Sequence, residues 1–130
     1  MLQREVVERI CASSKTSDFG SLSVLLQGQF EMKALDIVAP ESFSPPPRVF
    51  SQLVMGTIRT TNRHPLSDRF QKFVQRSFAQ KRKTLKNVWK GLLTPEKVAE
   101  IFKKFDFKET QRAEEIDLDL WPQLFKEADL

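Results

Sequence analysis

The spacing of apolar residues divides the chain near residue 62. Residues 3–11 predict a short amphipathic helix, because Val6, Val7 and Ile10 lie at helical spacing among charged residues. Residues 22–30 form an apolar segment of mixed period, which we interpret as a helix. Two strands are predicted in this first half: 33–38 and 50–58.

Prolines separate the two predicted strands. Pro40 and the run Pro45, Pro46 and Pro47 exclude a regular ladder there, because proline lacks the amide donor and fixes φ. The polar segment 60–65, Thr-Thr-Asn-Arg-His-Pro, is the clearest predicted linker in the chain.

Beyond this linker the pattern predicts helices only. An apolar stripe begins at Leu66, recurs at helical spacing to Phe78 and is extended by Leu85 and Val88, with basic residues on the opposite faces. A break near Lys81 followed by a new helix capped by Thr84 is one interpretation, and a single continuous helix is the other.

Two more helices are predicted towards the C-terminus. Thr94-Pro95 is a helix start signal, with threonine as the cap and proline in the first turn. The last helix is predicted to begin at Asp117 or Asp119, and Pro122 favours the later start. The fold class is therefore predicted as α+β, with a strand-containing half followed by an all-helical half.

The charges are concentrated in one segment. The 130 residues carry a net charge of +4, yet residues 63–90 hold nine basic side chains against one acidic, which gives +8. Such a segment concentrates polyanions, and the release of counterions from phosphates supplies affinity. We therefore predict a nucleic-acid-binding surface, and the alternative is a solvated helix face that only aids solubility.

Composition also indicates the compartment. One cysteine, Cys11, excludes an intramolecular disulfide and is typical of a reducing cytosol. No apolar run reaches the roughly 18 residues that a membrane-spanning helix needs. No secretory signal is visible, so we expect a cytoplasmic protein without membrane contact.

Few residues are arranged for catalysis or metal binding. The four glycines are scattered and form no phosphate loop, and a single histidine, His64, excludes the usual zinc site. Beside Pro65 in the linker, His64 is expected to be solvated. The acidic pairs Glu114-Glu115 and Asp117-Asp119 are expected to act at helix starts rather than as general acid and base.

One segment carries a more specific signal. Phe43-Ser-Pro-Pro-Pro-Arg-Val49 resembles the F-x-P-P-P-K-V signature of ribosomal RNA adenine dimethyltransferases, which dimethylate adjacent adenines near the 3′ end of small-subunit RNA. The family usually has Asp-Ser after this run, where Phe50-Ser51 stands here. Further segments resemble family motifs in order and spacing. Gln3-Arg4-Glu5-Val6 resembles Q-K-E-V, and residues 14–24 resemble S-K-x-Y-G-x-L-S-V, with Phe19 where tyrosine is common. Residues 82–87 resemble R-K-T-L-x-N, and residues 112–114 resemble R-A-E.

The resemblance implies a fold and a cofactor. Residues 1–62 would be the C-terminal remnant of a Rossmann-like methyltransferase domain, and residues 63–130 a small all-helical RNA-binding domain. In the family, the S-adenosylmethionine loop and the N-L-P-Y motif precede Q-K-E-V. The chain is therefore expected to be part of a longer enzyme, or a truncated product, that alone binds no S-adenosylmethionine and is inactive.

The resemblance also implies roles for particular residues. Phe43 corresponds to the aromatic that stacks on the target adenine after base flipping, and packing in the core is the alternative. Pro45, Pro46 and Pro47 would stiffen the loop. Five basic residues are the candidates for binding RNA phosphates: Arg76, Lys81, Arg82, Lys83 and Lys86.

The expected partners are small-subunit ribosomal RNA and the pre-ribosomal small subunit, with a monomeric intact enzyme. A non-catalytic RNA-binding or ribosome-assembly module is the rival interpretation. A DNA-binding helical domain is a third, because charge alone does not distinguish DNA from RNA.

Overall fold

The chain folds into a small antiparallel sheet and six helices in a computed structural model that describes residues 1–45 and 48–130. Pro46 and Pro47 lie outside the described residues, and so does the stiffening role predicted for them. The strands and helices are β1 (Leu2–Gln3), α1 (Arg4–Ile10), α2 (Ser21–Gln27), β2 (Phe30–Val38), β3 (Ser51–Ile58), α3 (Asp68–Ser77), α4 (Leu85–Trp89), α5 (Pro95–Lys104) and α6 (Trp121–Ala128).

The sheet has the order β1-β3-β2, and both pairs are antiparallel. Phe30 lies opposite Ile58 at one end of the β2–β3 ladder and Val38 opposite Ser51 at the other. The two predicted strands are confirmed, but β2 begins at Phe30 rather than at Lys33. The assignment of Phe30 to the preceding helix is wrong, because α2 ends at Gln27 and the chain turns at Gly28 before pairing with β3.

Side chains of α2 tie the first two helices together. The Ser23 hydroxyl accepts a hydrogen bond from the Gly20 amide at 3.1 Å and donates to the carbonyl oxygen of Arg9. The Gln27 amide nitrogen donates to the carbonyl oxygens of Ile10 and Ala12, each at 2.7 Å. These bonds give partners to carbonyl oxygens at and just beyond the C-terminal end of α1.

The second half is helical, as predicted, and the break between two helices is confirmed. The predicted cap is wrong, because the Thr84 side chain makes no capping hydrogen bond at the start of α4. α3 ends at Ser77 and α4 starts at Leu85, so one continuous helix is excluded. Leu66 is 66% exposed and does not join the apolar stripe, because α3 begins only at Asp68. At the start of α5, the Thr94 hydroxyl oxygen accepts from the Lys97 amide at 3.2 Å, which confirms the predicted cap.

The last helix starts later than either predicted position. A 3-10 turn spans Leu118–Leu120, and α6 then begins at Trp121 with Pro122 in its first turn. The acidic residues before it have separate partners. Glu115 accepts from the Arg112 amide at 2.8 Å, and Asp117 accepts from the Ser14 hydroxyl at 2.9 Å.

The hydrophobic core lies among the helices. The ring of Phe73 packs against the rings of Trp89, at a centroid distance of 5.8 Å, and Trp121, at 6.0 Å. Trp89 donates its indole N–H to the Ser77 hydroxyl at 2.9 Å, which satisfies a buried donor. Phe19 and Val24 from the first half belong to the same core cluster, and the division at residue 62 stays a prediction.

Candidate nucleic-acid interface

The five basic residues predicted to bind phosphates lie at the junction of α3 and α4. Arg76 is in the last turn of α3, and Lys86 is in the first turn of α4. Lys81, Arg82 and Lys83 lie between them in residues 78–84, which we call the basic loop. All five therefore lie within residues 76–86, around the turn between these two helices.

The five side chains differ in whether they already bind another residue of the chain. Arg76, Arg82 and Lys83 are exposed and form no ion pair with any residue in the part of the chain that the structure describes. The Lys81 ammonium donates to the carbonyl oxygen of Ser17 at 2.6 Å, and the Lys86 ammonium lies 2.8 Å from the Glu109 carboxylate. Exposed pairs of this kind stabilise a fold by at most about 1 kcal/mol, so a phosphate can compete with Glu109.

A cleft of about 330 Å³ opens beside the basic loop. One wall is the segment 17–23 and another is the short 3-10 segment that begins after Arg112. We call it the basic cleft, because its charged lining residues are Arg9, Lys81, Lys83 and Arg112 against Asp18 and Glu114. Arg76, Arg82 and Lys86 do not line it.

Backbone hydrogen bonds hold the walls of the basic cleft. The Lys15 amide donates to the carbonyl oxygen of Glu114 at 2.8 Å, and the Leu85 amide donates to that of Gln111 at 2.7 Å. Below the cleft, the buried ring of Phe19 meets the ring of Phe78 edge to face at 6.1 Å. Of the charged side chains that line the cleft, that of Lys81 also joins two walls, because it donates to the carbonyl oxygen of Ser17.

Phe43 lies apart from this cleft, in the connection between β2 and β3. It follows the 3-10 turn Pro40–Ser42, and its amide donates to the carbonyl oxygen of Pro40 at 3.2 Å. The side chain is half-buried and, among the described residues, is not part of the helical core cluster. Pro45, two residues on, is exposed. Stacking of Phe43 on an adenine stays a prediction.

His64 belongs to a polar cluster that sequence reasoning missed. The prediction that it is solvated is wrong, because its exposed fraction is only 4%. Its Nε2 lies 3.2 Å from an Asp119 carboxylate oxygen, which also accepts from the Arg59 guanidinium at 3.2 Å. Its main chain is fixed as well, since the His64 amide donates to the carbonyl oxygen of Gly28 at 3.0 Å.

The surroundings shift the pKa values of two ionisable residues in this cluster, His64 and Asp119. Burial lowers the pKa of His64 and outweighs the opposing hydrogen bond and charge of Asp119, while the Arg59 charge lowers it further. Burial raises the pKa of Asp119, but hydrogen bonds from His64 and Arg59 outweigh that effect and hold the pKa below its usual value. We infer a neutral imidazole that donates from Nε2 to an ionised carboxylate.

Gly28 is required by the position of the imidazole. A Cβ at this position would lie 2.4 Å from Nδ1 of His64, far inside van der Waals contact. The imidazole is buried and cannot swing away, so residue 28 must lack a side chain. Gly28 and His64 are distant in sequence, so no local motif indicates this contact.

The comparisons with known proteins decide the family. The family model described as "Ribosomal RNA adenine dimethylase" matches residues 1–130, which is the whole sequence. The chain belongs to the ribosomal RNA adenine dimethylase family. This confirms the resemblance carried by the motifs around residues 3–6, 14–24, 43–49, 82–87 and 112–114.

Two curated relatives show how much of a family member the chain corresponds to. The ribosomal RNA small subunit methyltransferase A of Nitrosomonas europaea is 41% identical over 120 residues, which cover 91% of this chain and 45% of the relative. Its counterpart from Thiobacillus denitrificans is 46% identical over 98 residues, which cover 74% of this chain and 38% of the relative. The chain thus spans less than half the length of these dimethylase relatives.

Two solved structures share the fold. A dimethyladenosine transferase from Plasmodium falciparum matches with a TM-score of 0.81 at 20% identity, over 98% of this chain and 55% of that one. The 23S rRNA methyltransferase ErmE matches with a TM-score of 0.58 at 19% identity, over 98% of this chain and 52% of that one. The α+β arrangement is therefore shared with part of these two methyltransferases.

The dimethylase resemblance implies S-adenosylmethionine as cofactor, but the described residues do not have the features of a site for it. A nucleoside site of the Rossmann kind needs clustered glycines where the backbone approaches the ligand. Gly20 and Gly28 flank α2, Gly56 lies in β3 and Gly91 follows α4, and none of the four has a positive φ. Within residues 1–45 and 48–130 there is also no metal-ligand cluster and no helix long and apolar enough to cross a bilayer.

Proposed function

We propose that this chain forms the substrate-facing part of an S-adenosylmethionine-dependent adenine dimethyltransferase acting on small-subunit ribosomal RNA. Residues 1–62 would be the end of its methyltransferase domain, and residues 63–130 would grip the RNA. The observation that carries the proposal is the match of all 130 residues to the adenine dimethylase family. The name of the curated relatives supports the small ribosomal subunit as the source of the substrate.

The charge distribution supports the role of residues 63–90. Three exposed cations, Arg76, Arg82 and Lys83, have no acidic partner among the described residues and are therefore free to bind phosphates. Phosphate contacts position a protein on RNA without reading its sequence. The choice of adenine would then depend on residues that contact the base.

Phe43 is the residue that we assign to the base. An adenine moved out of its helix loses its stacking neighbours, and an aromatic ring replaces them with about 1–3 kcal/mol per base. Phe43 suits this role because it lies in a loop at the end of the sheet and outside the helical core cluster. S-adenosylmethionine would supply the methyl group from residues other than those described here.

A chimera tests the proposed function. The segment of the Nitrosomonas europaea relative that matches this chain at 41% identity is replaced by residues 1–130. We expect the chimera to transfer labelled methyl groups from S-adenosylmethionine to adenines of small-subunit ribosomal RNA, and the 130-residue chain alone to transfer none. In the chimera, Phe43→Ala should lower kcat/KM by about 10- to 100-fold, because the variant cannot stack on the flipped base.

Phe43→Tyr is the matched control, since it keeps an aromatic face and should retain most of the activity. A folded chimera that binds S-adenosylmethionine but leaves the RNA unmethylated would contradict the proposal. It would favour the rival interpretation, a non-catalytic RNA-binding or ribosome-assembly module. Equal activity of the Phe43→Ala and Phe43→Tyr variants would show that Phe43 does not stack on the target adenine.

A further inference from the structure

Separate sequence motifs meet at the basic cleft. The segment 14–24, the R-K-T-L-x-N segment 82–87 and the R-A-E segment 112–114 all contribute residues to its lining. Two of these, 14–24 and 112–114, have no role in the function proposed above. Their convergence on one concave site therefore needs its own explanation.

Packing accounts for only some of the residues in these segments. Ser23 and Gly20 hold α2 against α1, and the Glu114 carbonyl oxygen fixes Lys15. The charged ends of Lys83 and Arg112 make no comparable hydrogen bond within the described residues. Lys83 has no ion pair within the described residues, and the only carboxylate near the Arg112 guanidinium there is that of Glu114, at 4.0 Å. Lys83 and Arg112 are therefore free to bind a ligand. The Arg9 guanidinium, a further basic group of the lining, lies 3.0 Å from the Glu5 carboxylate one helical turn away, an exposed pair with which a phosphate can compete.

The lining has the size and charge for part of a nucleotide. A volume of about 330 Å³ lies at the lower end of the range for small-molecule sites, roughly 300–1,000 Å³. Four basic side chains against two carboxylates leave the cleft net positive. Guanidinium groups suit phosphate particularly well, because their planar N–H fork can bind two oxygens at once.

We propose that the basic cleft binds one phosphodiester of the RNA strand, with Arg9 and Arg112 as ligands in addition to Lys83. This inference rests on the proposed function for its choice of RNA. Asp18 and Glu114 repel any further phosphate, so the cleft takes one phosphate group and not a continuous backbone track. The cleft would thus fix the register of the RNA relative to the basic loop.

The test compares two double variants of equal charge. Arg9→Ala/Arg112→Ala removes two cleft ligands, and Lys103→Ala/Lys126→Ala removes two exposed lysines of α5 and α6 that do not line the cleft. Affinity for the 3′-terminal stem-loop of small-subunit ribosomal RNA is measured by fluorescence anisotropy between about 50 and 200 mM salt. We expect the cleft variant to bind about tenfold more weakly. The slope of log affinity against log salt concentration should be shallower by about 0.7 for each cation that no longer neutralises a phosphate. The control pair should change both quantities much less.

A third variant separates ligand binding from a structural role. Glu114→Gln removes a carboxylate from the cleft, and we expect it to strengthen RNA binding by about two- to threefold. A residue that only maintained the fold would not produce a gain. Arg112→Ala alone, whose side chain makes no hydrogen bond within residues 1–45 and 48–130, provides the same comparison if the double variant is less stable.

The outcomes separate this inference from the proposed function. Equal losses of affinity in the two double variants, or no gain with Glu114→Gln, would overturn the cleft as a phosphate site while leaving RNA binding in place. No RNA binding by the unaltered chain at any salt concentration would contradict the proposed function itself.

Discussion

His64 is held by contacts from three separate parts of the chain. Its ring meets Asp119 from the turn before α6, its ring edge packs at 5.8 Å from the ring of Phe70, and its main chain is bonded to Gly28. Nδ1 is buried and has no hydrogen-bond partner among the described residues. A proton on Nδ1 would therefore be unpaired, which is the physical reason that the neutral imidazole is preferred.

This arrangement predicts that acid destabilises the fold. The pKa of His64 lies below its ordinary value of 6.5 in the folded chain, so the unfolded chain takes up the proton first as the pH falls. We expect the free energy of unfolding, measured by urea denaturation, to be highest above about pH 6.5 and to decrease as the pH is lowered towards 5. His64 is the only histidine, so no other imidazole contributes in this window.

His64→Gln is the control for this dependence. Its side-chain amide can donate to Asp119 but does not titrate, so the decrease between pH 6.5 and about 5 should largely disappear. The carboxylate of Asp119 does not confuse the comparison, because its pKa is lowered and it stays ionised in this range. The same decrease in the variant and the unaltered chain would show that His64 is not its source.

The burial of His64 also shows what residue-level reasoning could not predict. A histidine followed by proline in a polar linker is usually exposed, and the neighbouring residues contain no other signal. The decisive partner, Asp119, is 55 residues away along the chain, and its acidic neighbours favoured a capping role. By contrast Phe43 could be singled out, because the motif that contains it is local.

At the scale of elements, two threonines precede helices but only one has a capping bond. The Thr94 hydroxyl oxygen accepts from the Lys97 amide at the start of α5. Thr84 occupies the same position before α4, yet its side chain makes no capping hydrogen bond. The same threonine-to-alanine substitution can therefore be made at a position with a capping bond and at one without it.

We expect Thr94→Ala to lower the free energy of unfolding by about 1 kcal/mol, because the amide at the third helical position is left without its partner. Thr84→Ala should cost well under that amount. Urea denaturation at neutral pH measures both variants, and Thr94→Ser should restore most of the stability. Equal losses of stability at the two positions would mean that the side-chain bond of Thr94 contributes nothing specific.

Elements with strong local signals could be predicted from the sequence. The Thr94-Pro95 start, the proline-separated strands and the apolar stripe of α3 each match the structure closely. Errors occur where neighbouring elements compete for an apolar residue. Phe30 continues the apolar run of α2 but pairs in β2, and Leu66 continues the stripe of α3 but lies before its start. Strand pairing, which the period does not encode, decides the boundary at Phe30. At Leu66 the boundary coincides with a local cap, because the Ser67 hydroxyl accepts from the Phe70 amide.

At the scale of the whole molecule, the charge map could be predicted but the basic cleft could not. Composition alone is enough to single out residues 63–90 as the segment expected to face a nucleic acid, and the family resemblance specifies RNA. Arg9 and Arg112 come from segments with balanced or negative charge, and only the fold brings them beside Lys83. A site assembled from distant segments leaves no continuous pattern in the sequence.

The sheet presents a different surface from the helices. Several large apolar side chains of β2 and β3 are exposed: Leu35, Ile37, Leu53, Met55 and Ile58. Exposed apolar patches of this kind are typical of surfaces that contact another part of a protein or a partner. The cations of the basic loop lie in the helical half instead, so the two surfaces are available for different contacts.

The salt dependence of RNA binding by the 130-residue chain tests most directly whether the basic loop binds RNA phosphates. Affinity for the 3′-terminal stem-loop of small-subunit ribosomal RNA is compared for the unaltered chain and Arg82→Ala/Lys83→Ala. We expect tight binding at low salt, with a log–log slope that is shallower in the variant by roughly 0.7–0.9 for each phosphate that it no longer neutralises. An unchanged affinity and slope in the variant would contradict the assignment of the basic loop as the RNA-binding surface.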